Sequence, residues 1–389
     1  MKFAARFTGW LEHHWVNPAY VGWVLLGLAL FFFAAATNTL AGWLYVISGV
    51  MLALLVVAAL LPPRHLQGLV VTRSPVQPVT AGVPLEVELQ VSNPQRQAKG
   101  LFQIMDSVDS GLGPIPVTAV GSLPPGQTHR WRYQMPTPHR GIYRWSRVDL
   151  RTAAPLGLFW CRRSTEAPAV AVVYPQVLSL QRCPLLDTVG PRHGQNWRYS
   201  PLAQADSQGV TRSLRPYRWG DPTRLIHWRT SARYGELRVR ELETMANNRE
   251  VVIALNTLIR WDTTSFEQAV VAAASLYTYA LKQGFAAALW LPQANDSAQD
   301  HVLRETPRVM HALAGVASAP TTQSSTPLPQ GATIWLTAAG APPVELPTGS
   351  RQVVWGSGPR AVNPDSGVSS ILWVDANEPL EAQLQVNVA

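Results

Sequence analysis

The chain has 389 residues, a formal net charge of +8 at pH 7 and two cysteines. That length is sufficient for a membrane anchor and two domains that each bury a core of their own. Arginine supplies nearly all of the positive charge, because Lys2, Lys99 and Lys282 are the only lysines, and scattered arginines without lysine clusters argue against nucleic-acid binding. Cys161 and Cys183 have no CxxC spacing, which argues against a zinc or disulfide framework and indicates a reducing compartment.

Two long apolar segments lie near the N-terminus. Residues 20–37 and 41–61 carry no charged side chain, and each approaches the roughly 20 residues that a membrane-spanning helix needs. Residues 1–64 are therefore predicted to form an N-terminal segment and a transmembrane hairpin, with a tight turn at residues 38–40. A cleaved signal peptide is the alternative, but no small-residue cleavage pattern follows the first apolar segment and the second one follows at once.

The charges that flank these segments predict their orientation. Lys2 and Arg6 precede the first segment, Arg64 and Arg73 follow the second, and the turn between the segments is uncharged. The positive-inside rule then places both termini and the soluble domains in the cytoplasm, on a multi-pass protein of the inner membrane.

Residues 65–180 consist of short β-rich segments separated by turns that contain proline or glycine. Leu85–Val91 alternates strictly between apolar and polar side chains and ends at the turn Ser92-Asn93-Pro94, a pattern typical of a strand with one buried face. Such segments predict an antiparallel β-sandwich that serves as a scaffold. We expect further strands over His129–Tyr133 and Gly141–Leu150, and a plug for one end of the core from Leu156, Leu158 and Phe159.

An arginine-rich module follows further along the chain. Residues 212–243 hold eight arginines and four acids around a Gly-Asp-Pro sequence, which predicts a chain reversal. We expect the carboxylate of Asp221 to lie among Arg218, Arg224 and Arg229 and to accept a bidentate guanidinium. A short helix or irregular piece and then a strand should follow the turn.

Several residues of the module, together with motifs in residues 73–159, have the spacing of a known family signature. The module residues are Tyr217, Gly220, Asp221, Arg224, His227, Trp228, Ser231, Arg233 and Glu241. The earlier motifs include Val91-Ser92-Asn93-Pro94 and Arg140-Gly141-Ile142-Tyr143. Together they resemble the bacterial "domain of unknown function 58" (DUF58) family. That resemblance implies a membrane-anchored partner of a MoxR-type AAA+ ATPase and a von Willebrand factor A-like fold for the last domain.

The last domain is predicted over residues 211–389, after a polar, turn-rich linker over residues 181–210. Val251–Leu255 is an apolar run typical of a buried parallel strand, and the apolar residues from Phe266 to Leu281 recur at helical spacing. Strands that alternate with helices predict an open, mostly parallel α/β sheet. The remaining predicted elements are strands over Phe285–Leu291, Ile334–Thr337, Gln352–Trp355 and Ile371–Val374, and a helix over Val302–Val316.

A comparison with metal-binding von Willebrand A domains suggests one chemical site to test. In those domains the first strand ends in Asp-x-Ser-x-Ser, whose oxygens hold a divalent cation. The matching positions here are Asn256, Leu258 and Arg260. An amide replaces the carboxylate, both hydroxyls are lost and a cation is added, so we predict a degenerate site without metal, and no cofactor.

Two interpretations of the module remain open. The favoured one is an internal ion-pair network, in which the arginines pair with Asp221 and the neighbouring glutamates and His227 has a structural role. In the other, unpaired guanidiniums form a docking surface for an acidic partner or an anionic ligand.

At the level of function we predict a membrane-anchored scaffold or adaptor that faces the cytoplasm, has no catalytic residues and docks protein partners. By resemblance, these partners are a MoxR-type ATPase and neighbouring membrane proteins. The alternative is an enzyme or binding protein for an anionic substrate, with Asp221 and His227 as acid/base candidates and Arg218, Arg224 and Arg233 as anion clamps. An active site of this kind needs a concave pocket with unpaired guanidiniums.

Overall fold

The computed structural model describes residues 12, 15–39, 41–187, 210–219, 221, 223–243, 250–292, 301–319, 331–347, 349–356 and 371–386. It describes the backbone but not the side chains of residues 210–213, 224 and 240–243. Gly220 and most of the predicted linker therefore lie outside the described residues. The chain separates into two compact units, a first unit of Met1–Gln176 with Thr306–Val316 and a second unit of Val177–Glu305 with Ala317–Ala389.

Two apolar helices, α1 (Tyr20–Thr39) and α2 (Gly42–Leu66), form an antiparallel hairpin in the first unit. The hydroxyl of Ser48 donates a hydrogen bond of 2.9 Å to the carbonyl of Ala29 and so joins the two helices. Many of their apolar side chains point away from the protein, and Phe31 is 64% exposed. Both helices are long and apolar enough to cross a membrane. The two predicted segments are thus confirmed as helices, and each helix extends beyond its predicted end.

The strands of the first unit form two sheets. Their bounds are β1 Asn17–Pro18, β2 Val70–Arg73, β3 Val79–Thr80, β4 Leu85–Ser92, β5 Phe102–Asp106, β6 Val117–Val120, β7 Thr128–Met135, β8 Gly141–Thr152 and β9 Phe159–Tyr174. The larger sheet has the order β1-β9-β8-β5-β6, with β3 beside β9, and the smaller has the order β2-β4-β7. Neighbouring strands are antiparallel except for β3 and β9, which are parallel.

Apolar side chains from both sheets share one core. Leu89 and Val91 of β4 are fully buried against Ile104 of β5 and Leu150 of β8. Full burial of such a side chain contributes about 1.5–3 kcal/mol, and the strict alternation in β4 directs every second residue to this face. The two facing sheets agree with the layered arrangement that the alternation predicted.

The core contains a charged residue, Arg73, that the sequence analysis assigned to the flank of the second apolar segment. Arg73, counted above among the cations that flank the second apolar segment, is almost fully buried and pairs with Asp106 at 2.6 Å. Asp106 also accepts a hydrogen bond from the hydroxyl of Tyr133. The charge of Arg73 is therefore satisfied inside the first unit, and Arg64 in the last turn of α2 remains the flanking cation.

The predicted plug at the end of the core is partly wrong. Leu156 is 45% exposed, and Leu158 packs against Leu55 and Ala58 of α2. The reason is that residues 153–158 form a turn, closed by the Gly157 N–H to the carbonyl of Ala153 at 2.8 Å, beside the helical hairpin.

The second unit combines a short two-stranded ribbon with an α/β sheet. The strands are β10 Val210–Pro216, β11 Arg238–Glu243, β12 Glu250–Leu255, β13 Ala286–Trp290, β14 Val302–Leu303, β15 Thr333–Ala338, β16 Arg351–Trp355 and β17 Ile371–Val374. The helices from residue 184 onward are α3 Pro184–Asp187, α4 Trp228–Tyr234, α5 Thr263–Lys282, α6 Thr306–Gly315 and α7 Leu380–Leu384, of which α6 belongs to the first unit.

The α/β sheet has the order β14-β13-β12-β15-β16-β17. Its strands are parallel except for β14 at one edge. Helix α5 begins after Asp262, whose carboxylate accepts hydrogen bonds from the N–H groups of Thr264 and Ser265, and its apolar side buries Val270 and Tyr277 completely. The predicted α/β region with a mostly parallel sheet is therefore present.

Helix α6 packs on strands β8 and β9 of the first unit. Val309 and Leu313 are fully buried, and a guanidinium nitrogen of Arg140 donates to the carbonyl of Val316 at 2.8 Å. The sequence predicted a helix over Val302–Val316, but the helix begins at Thr306 and Val302–Leu303 form strand β14 instead. Hydrophobic periodicity also does not state which sheet the helix covers.

Candidate functional site

The arginine-rich module folds as a small ribbon, which we define as residues 210–243. Strands β10 and β11 pair antiparallel, with Arg215 opposite Val239 and Pro216 opposite Arg238. Between them the chain makes a short 3-10 helix at Thr223–Leu225 and then helix α4. This order of turn, short helix and strand agrees with the prediction from the sequence.

Asp221 accepts the bidentate guanidinium that the sequence predicted, but from a different arginine. Both terminal nitrogens of Arg215 donate to the carboxylate at 2.7 Å, and the backbone N–H of Arg218 donates at 2.8 Å. The hydrogen bonds from Arg215, followed by the one from Arg218, hold the pKa of Asp221 below its ordinary value. The chain reversal after β10 brings Asp221 back over the end of that strand, where Arg215 lies. Arg218, one of the three arginines predicted to surround Asp221, contributes its backbone N–H, and the side chain of Arg224 lies outside the described residues.

His227 is the N-cap of helix α4. Its Nδ1 accepts the backbone N–H of Thr230 at 3.2 Å and lies 2.8 Å from the hydroxyl of the same residue. The backbone N–H of His227 donates to the carbonyl of Arg238 and so joins the helix to β11. Ser231 is buried, and its hydroxyl accepts the N–H of Arg238 at 2.9 Å. Both residues thus satisfy backbone groups that would otherwise lack partners.

The other signature residues are positioned by the same ribbon. The backbone N–H of Tyr217 donates to the carbonyl of Leu237 at 2.8 Å and continues the pairing of the strands. Glu241 lies on β11 opposite Ser213, and Arg224 lies in the 3-10 helix; the side chains of Glu241 and Arg224 fall outside the described residues. Gly220 is also outside the described residues.

Several of the described side chains of the ribbon are exposed. Trp219 is completely exposed and Trp228 is 65% exposed. Among the described side chains none forms an ion pair with Arg218, Arg229 or Arg233. By helical spacing Arg229 and Arg233 lie side by side on the face of α4 opposite the buried Ser231, and a like-charge pair at this spacing costs a helix ~0.2–0.5 kcal/mol.

These exposed side chains are not part of the ion pairs that Asp221 and Glu236 form in the described part of the ribbon. A fully exposed tryptophan and a pair of neighbouring arginines do not stabilise the ribbon, whereas tryptophan and arginine are the residues that dominate protein interfaces. The sequence reasoning missed Trp219, although its position before the Gly-Asp-Pro turn was a signal that it would be exposed. The ion-pair interpretation holds for Arg215 and for Arg238, which pairs with Glu236 at 2.6 Å.

A family comparison covers this ribbon and part of the sheet that follows it. Residues 213–323 match the family described as "Protein of unknown function DUF58". This stretch of the chain belongs to the DUF58 family. The uncharacterised protein YeaD of Bacillus subtilis is 30% identical over 161 residues, which are 40% of this chain and 37% of that relative. The alignment thus spans about a third of the relative's length.

Solved structures add little to the DUF58 assignment. The CARDB domain of a Pyrococcus furiosus protein is 13% identical, and the match covers 27% of this chain and 95% of that domain with a TM-score of 0.20. A β-glucosidase from Listeria innocua in complex with glucose is also 13% identical, with a TM-score of 0.17 over 25% of this chain and 16% of that enzyme. The bacterial hydrophobin BslA has a TM-score of 0.17 and 13% identity, over 27% of this chain and 96% of that protein. These scores are too low to support an argument about the fold.

In the sheet of the second unit, the position that was compared with a metal site is filled by a structural amide. Asn256 follows β12 and is 7% exposed. Its Nδ2 donates to the hydroxyl of Thr337 at 3.4 Å, and its Oδ1 accepts the N–H of Leu258 at 3.3 Å. The indole of Trp261 donates to the carbonyl of Asn256 at 2.7 Å. Arg260 is exposed.

Asn256 lies at the carboxyl end of β12, beside β15. After β12 the chain continues to β13 on one side, and after β15 it continues to β16 on the other side. Open α/β sheets usually bind their ligands at such a switch point. Here aromatic side chains cover the strand ends. Trp261 is 9% exposed and lies 5.8 Å from the ring of Trp355 and 5.7 Å from that of Phe266. Among the described residues no group of His, Cys, Asp and Glu side chains is placed to hold a metal ion.

Proposed function

We propose that this protein is a membrane-anchored adaptor whose ribbon docks onto an acidic surface of a protein partner in the cytoplasm. The observation that carries the proposal is the exposed surface formed by Arg218, Trp219, Trp228, Arg229 and Arg233. Charge complementarity supports an acidic partner, because residues 212–243 hold eight arginines and only four acids. The family resemblance supports a MoxR-type AAA+ ATPase as that partner.

The anchor is the hairpin of α1 and α2. We propose that both helices span the inner membrane with the soluble domains in the cytoplasm, which Arg64 at the end of α2 supports through the positive-inside rule. Exposed apolar side chains along both helices support the same arrangement, since the described part of the chain offers them little cover.

We also propose that the sheet of the second unit is a von Willebrand factor A-like domain that has lost its metal. The parallel order of β12, β13 and β15 to β17 and the position of α5 after β12 support this proposal. In this interpretation the partner is recognised through arginine and aromatic side chains, without a bridging cation.

An acid/base enzyme has less support. His227 uses Nδ1 to cap α4, and Asp221 accepts hydrogen bonds from Arg215 and Arg218. These hydrogen bonds engage both groups within the ribbon.

The test is an equilibrium binding measurement between the full-length protein in lipid nanodiscs and a purified MoxR-type ATPase from the same organism. The variant Arg229→Glu with Arg233→Glu reverses the charge of the exposed pair. We expect Kd to rise at least about tenfold. Reversal of two charges at such an interface should cost ~1.4 kcal/mol or more of binding free energy, and ~1.4 kcal/mol corresponds to a tenfold change in Kd. Wild-type affinity should also fall as salt rises.

The matched control is Arg130→Glu with Arg144→Glu, which reverses two exposed arginines on strands β7 and β8. This control should bind like the wild type. Equal affinity of all three proteins, or no binding by the wild type, would overturn the proposal. Competition by millimolar inorganic phosphate at constant ionic strength would favour the anionic-ligand alternative.

A further inference from the structure

A cleft lies where the helical hairpin meets the sheets of the first unit. It has a volume of about 330 Å³, which is within the range of roughly 300–1,000 Å³ typical of small-molecule sites. One wall consists of Val56, Ala59, Leu60 and Pro63 in the last turns of α2, and Trp15 before α1 forms part of another wall. The lining of the cleft is therefore almost entirely apolar, and it includes one cationic side chain, that of Arg163.

Charged side chains of the described residues lie on strands β8 and β9, to which Arg163 of the cleft belongs. Three arginines of these strands lie close to two acids, and Arg163 donates to the carbonyl of Arg162; the three arginines are Arg147, Arg151 and Arg162, and the acids are Glu12 and Asp149. Glu12 pairs with Arg151 at 2.5 Å, and Asp149 pairs with Arg147 at 2.9 Å. Glu166 lies opposite Arg147 in the register of β8 and β9, so this described set holds four arginines and three acids. We expect anionic phospholipid headgroups at this end of the hairpin.

The cleft is held open by connections at both ends of the hairpin. Before α1, β1 pairs with β9, and the N–H of Ala19 donates to the carbonyl of Leu158 at 2.8 Å. After α2, the ammonium of Lys99 donates to the carbonyl of Gln67 at 2.9 Å and to the side chain of Gln95 at 2.9 Å. Because these contacts fix the walls without any ligand, binding would cost little reorganisation.

We propose that this cleft binds one anionic phospholipid. An acyl chain would lie along the Val56 to Pro63 side of α2 and against Trp15, and the phosphate would lie at Arg163. An apolar wall on a membrane helix, an interfacial tryptophan and a cation at one end match the chemistry of such a lipid. The inference rests on the proposed insertion of α1 and α2 into a membrane.

The experiment is native mass spectrometry of the full-length protein, extracted and delipidated in mild detergent. Dioleoyl-phosphatidylglycerol and dioleoyl-phosphatidylcholine are added separately, because they have the same chains and differ in headgroup charge. We expect one phosphatidylglycerol per protein, with phosphatidylcholine bound roughly fivefold more weakly, the effect of one arginine near an anionic lipid.

Two variants test the two parts of the site. Ala59→Phe fills the cleft and should abolish retention of phosphatidylglycerol, whereas Ala53→Phe adds the same ring at an exposed position of α2 and should retain it. Arg163→Gln should remove the preference for phosphatidylglycerol, and Arg144→Gln, on an exposed part of β8, should keep it. Wild-type retention by Ala59→Phe, or equal binding of the two lipids by the wild-type protein, would overturn the lipid site.

Alkaline carbonate extraction of native membranes separates this inference from the proposal on which it rests. Protein that stays in the pellet but shows no lipid selectivity overturns the lipid site alone. Protein that carbonate releases overturns membrane insertion and the lipid site with it.

Discussion

Removal of the buried carboxylate of Asp106 is expected to destabilise the two sheets of the first unit severely. The side chains of Arg73 and Asp106 are 2% and 0% exposed, and their closest atoms are 2.6 Å apart. A second hydrogen bond of 3.0 Å joins the pair, and the hydroxyl of Tyr133 donates to the same carboxylate at 2.5 Å. In Asp106→Ala the guanidinium would stay buried with the carbonyl of Ala167 as its remaining acceptor among these groups.

The cost of leaving one member of a buried ion pair unpaired is about 3–5 kcal/mol. The assay is amide hydrogen exchange of β4 and β5 in the detergent-solubilised protein, because protection there reports the free energy of opening these sheets. We expect protection to fall roughly a hundredfold or more, at ~1.4 kcal/mol per factor of ten.

A double variant, Arg73→Met with Asp106→Leu, removes both charges together and should recover most of the lost protection. The more exposed pair Glu88 and Arg132 supplies the control, since its side chains are 16% and 64% exposed. Glu88→Ala should change the protection much less than Asp106→Ala does. A loss below ~1 kcal/mol in Asp106→Ala, typical of an exposed pair, would refute the reasoning. A double variant no more protected than the single one would refute it as well.

Other features of the chain give shorter predictions. The pKa of Asp221 is lowered from its ordinary value of 3.8, so its ionised carboxylate stabilises the ribbon above that pH. Exchange protection of β10 and β11 should therefore fall as the pH drops below 3.8. Asp221→Asn should remove this pH dependence. Burial raises the pKa of Cys183 to about 11, so iodoacetamide at pH 8 should not modify this thiol in the folded protein. As a control, iodoacetamide should modify the new thiol of Ser146→Cys, which lies at an exposed position of β8. Asp262→Ala should cost ~1 kcal/mol through the lost cap of α5, and Asp262→Asn much less, as measured by exchange in the first turn. Magnesium or a chelator should leave the melting temperature unchanged, and a magnesium-dependent shift that Asn256→Ala removes would contradict the degenerate metal site.

Local periodicity predicted the elements whose neighbours are close in the sequence. The alternation in Leu85–Val91 gave a strand that the structure extends by one residue, to Ser92. The apolar spacing from Phe266 to Leu281 gave most of helix α5. Each pattern records which side of an element faces a core, and that is a property of consecutive residues.

The long strand β9 shows where periodicity fails. Its residues Phe159–Tyr174 include a polar stretch and Pro168, which a strand prediction rejects because proline cannot donate a ladder hydrogen bond. The pairing of β8 and β9 shifts register between Trp145 and Arg147, and such a bulge is the place where a strand tolerates proline. A bulge depends on the partner strand, so the sequence of β9 alone does not reveal it.

By itself the sequence determined the two apolar helices, the order of β-rich and α/β regions and the signature residues of the DUF58 ribbon, because each is written in short-range patterns of polarity and turn residues. Tertiary structure alone decided that Arg215 holds Asp221, that Arg73 is buried and that α6 covers β8 and β9. Those outcomes are pairings between residues distant in the chain or across a turn. The choice among several arginines or several apolar surfaces is made by the geometry of packing, which local composition does not encode.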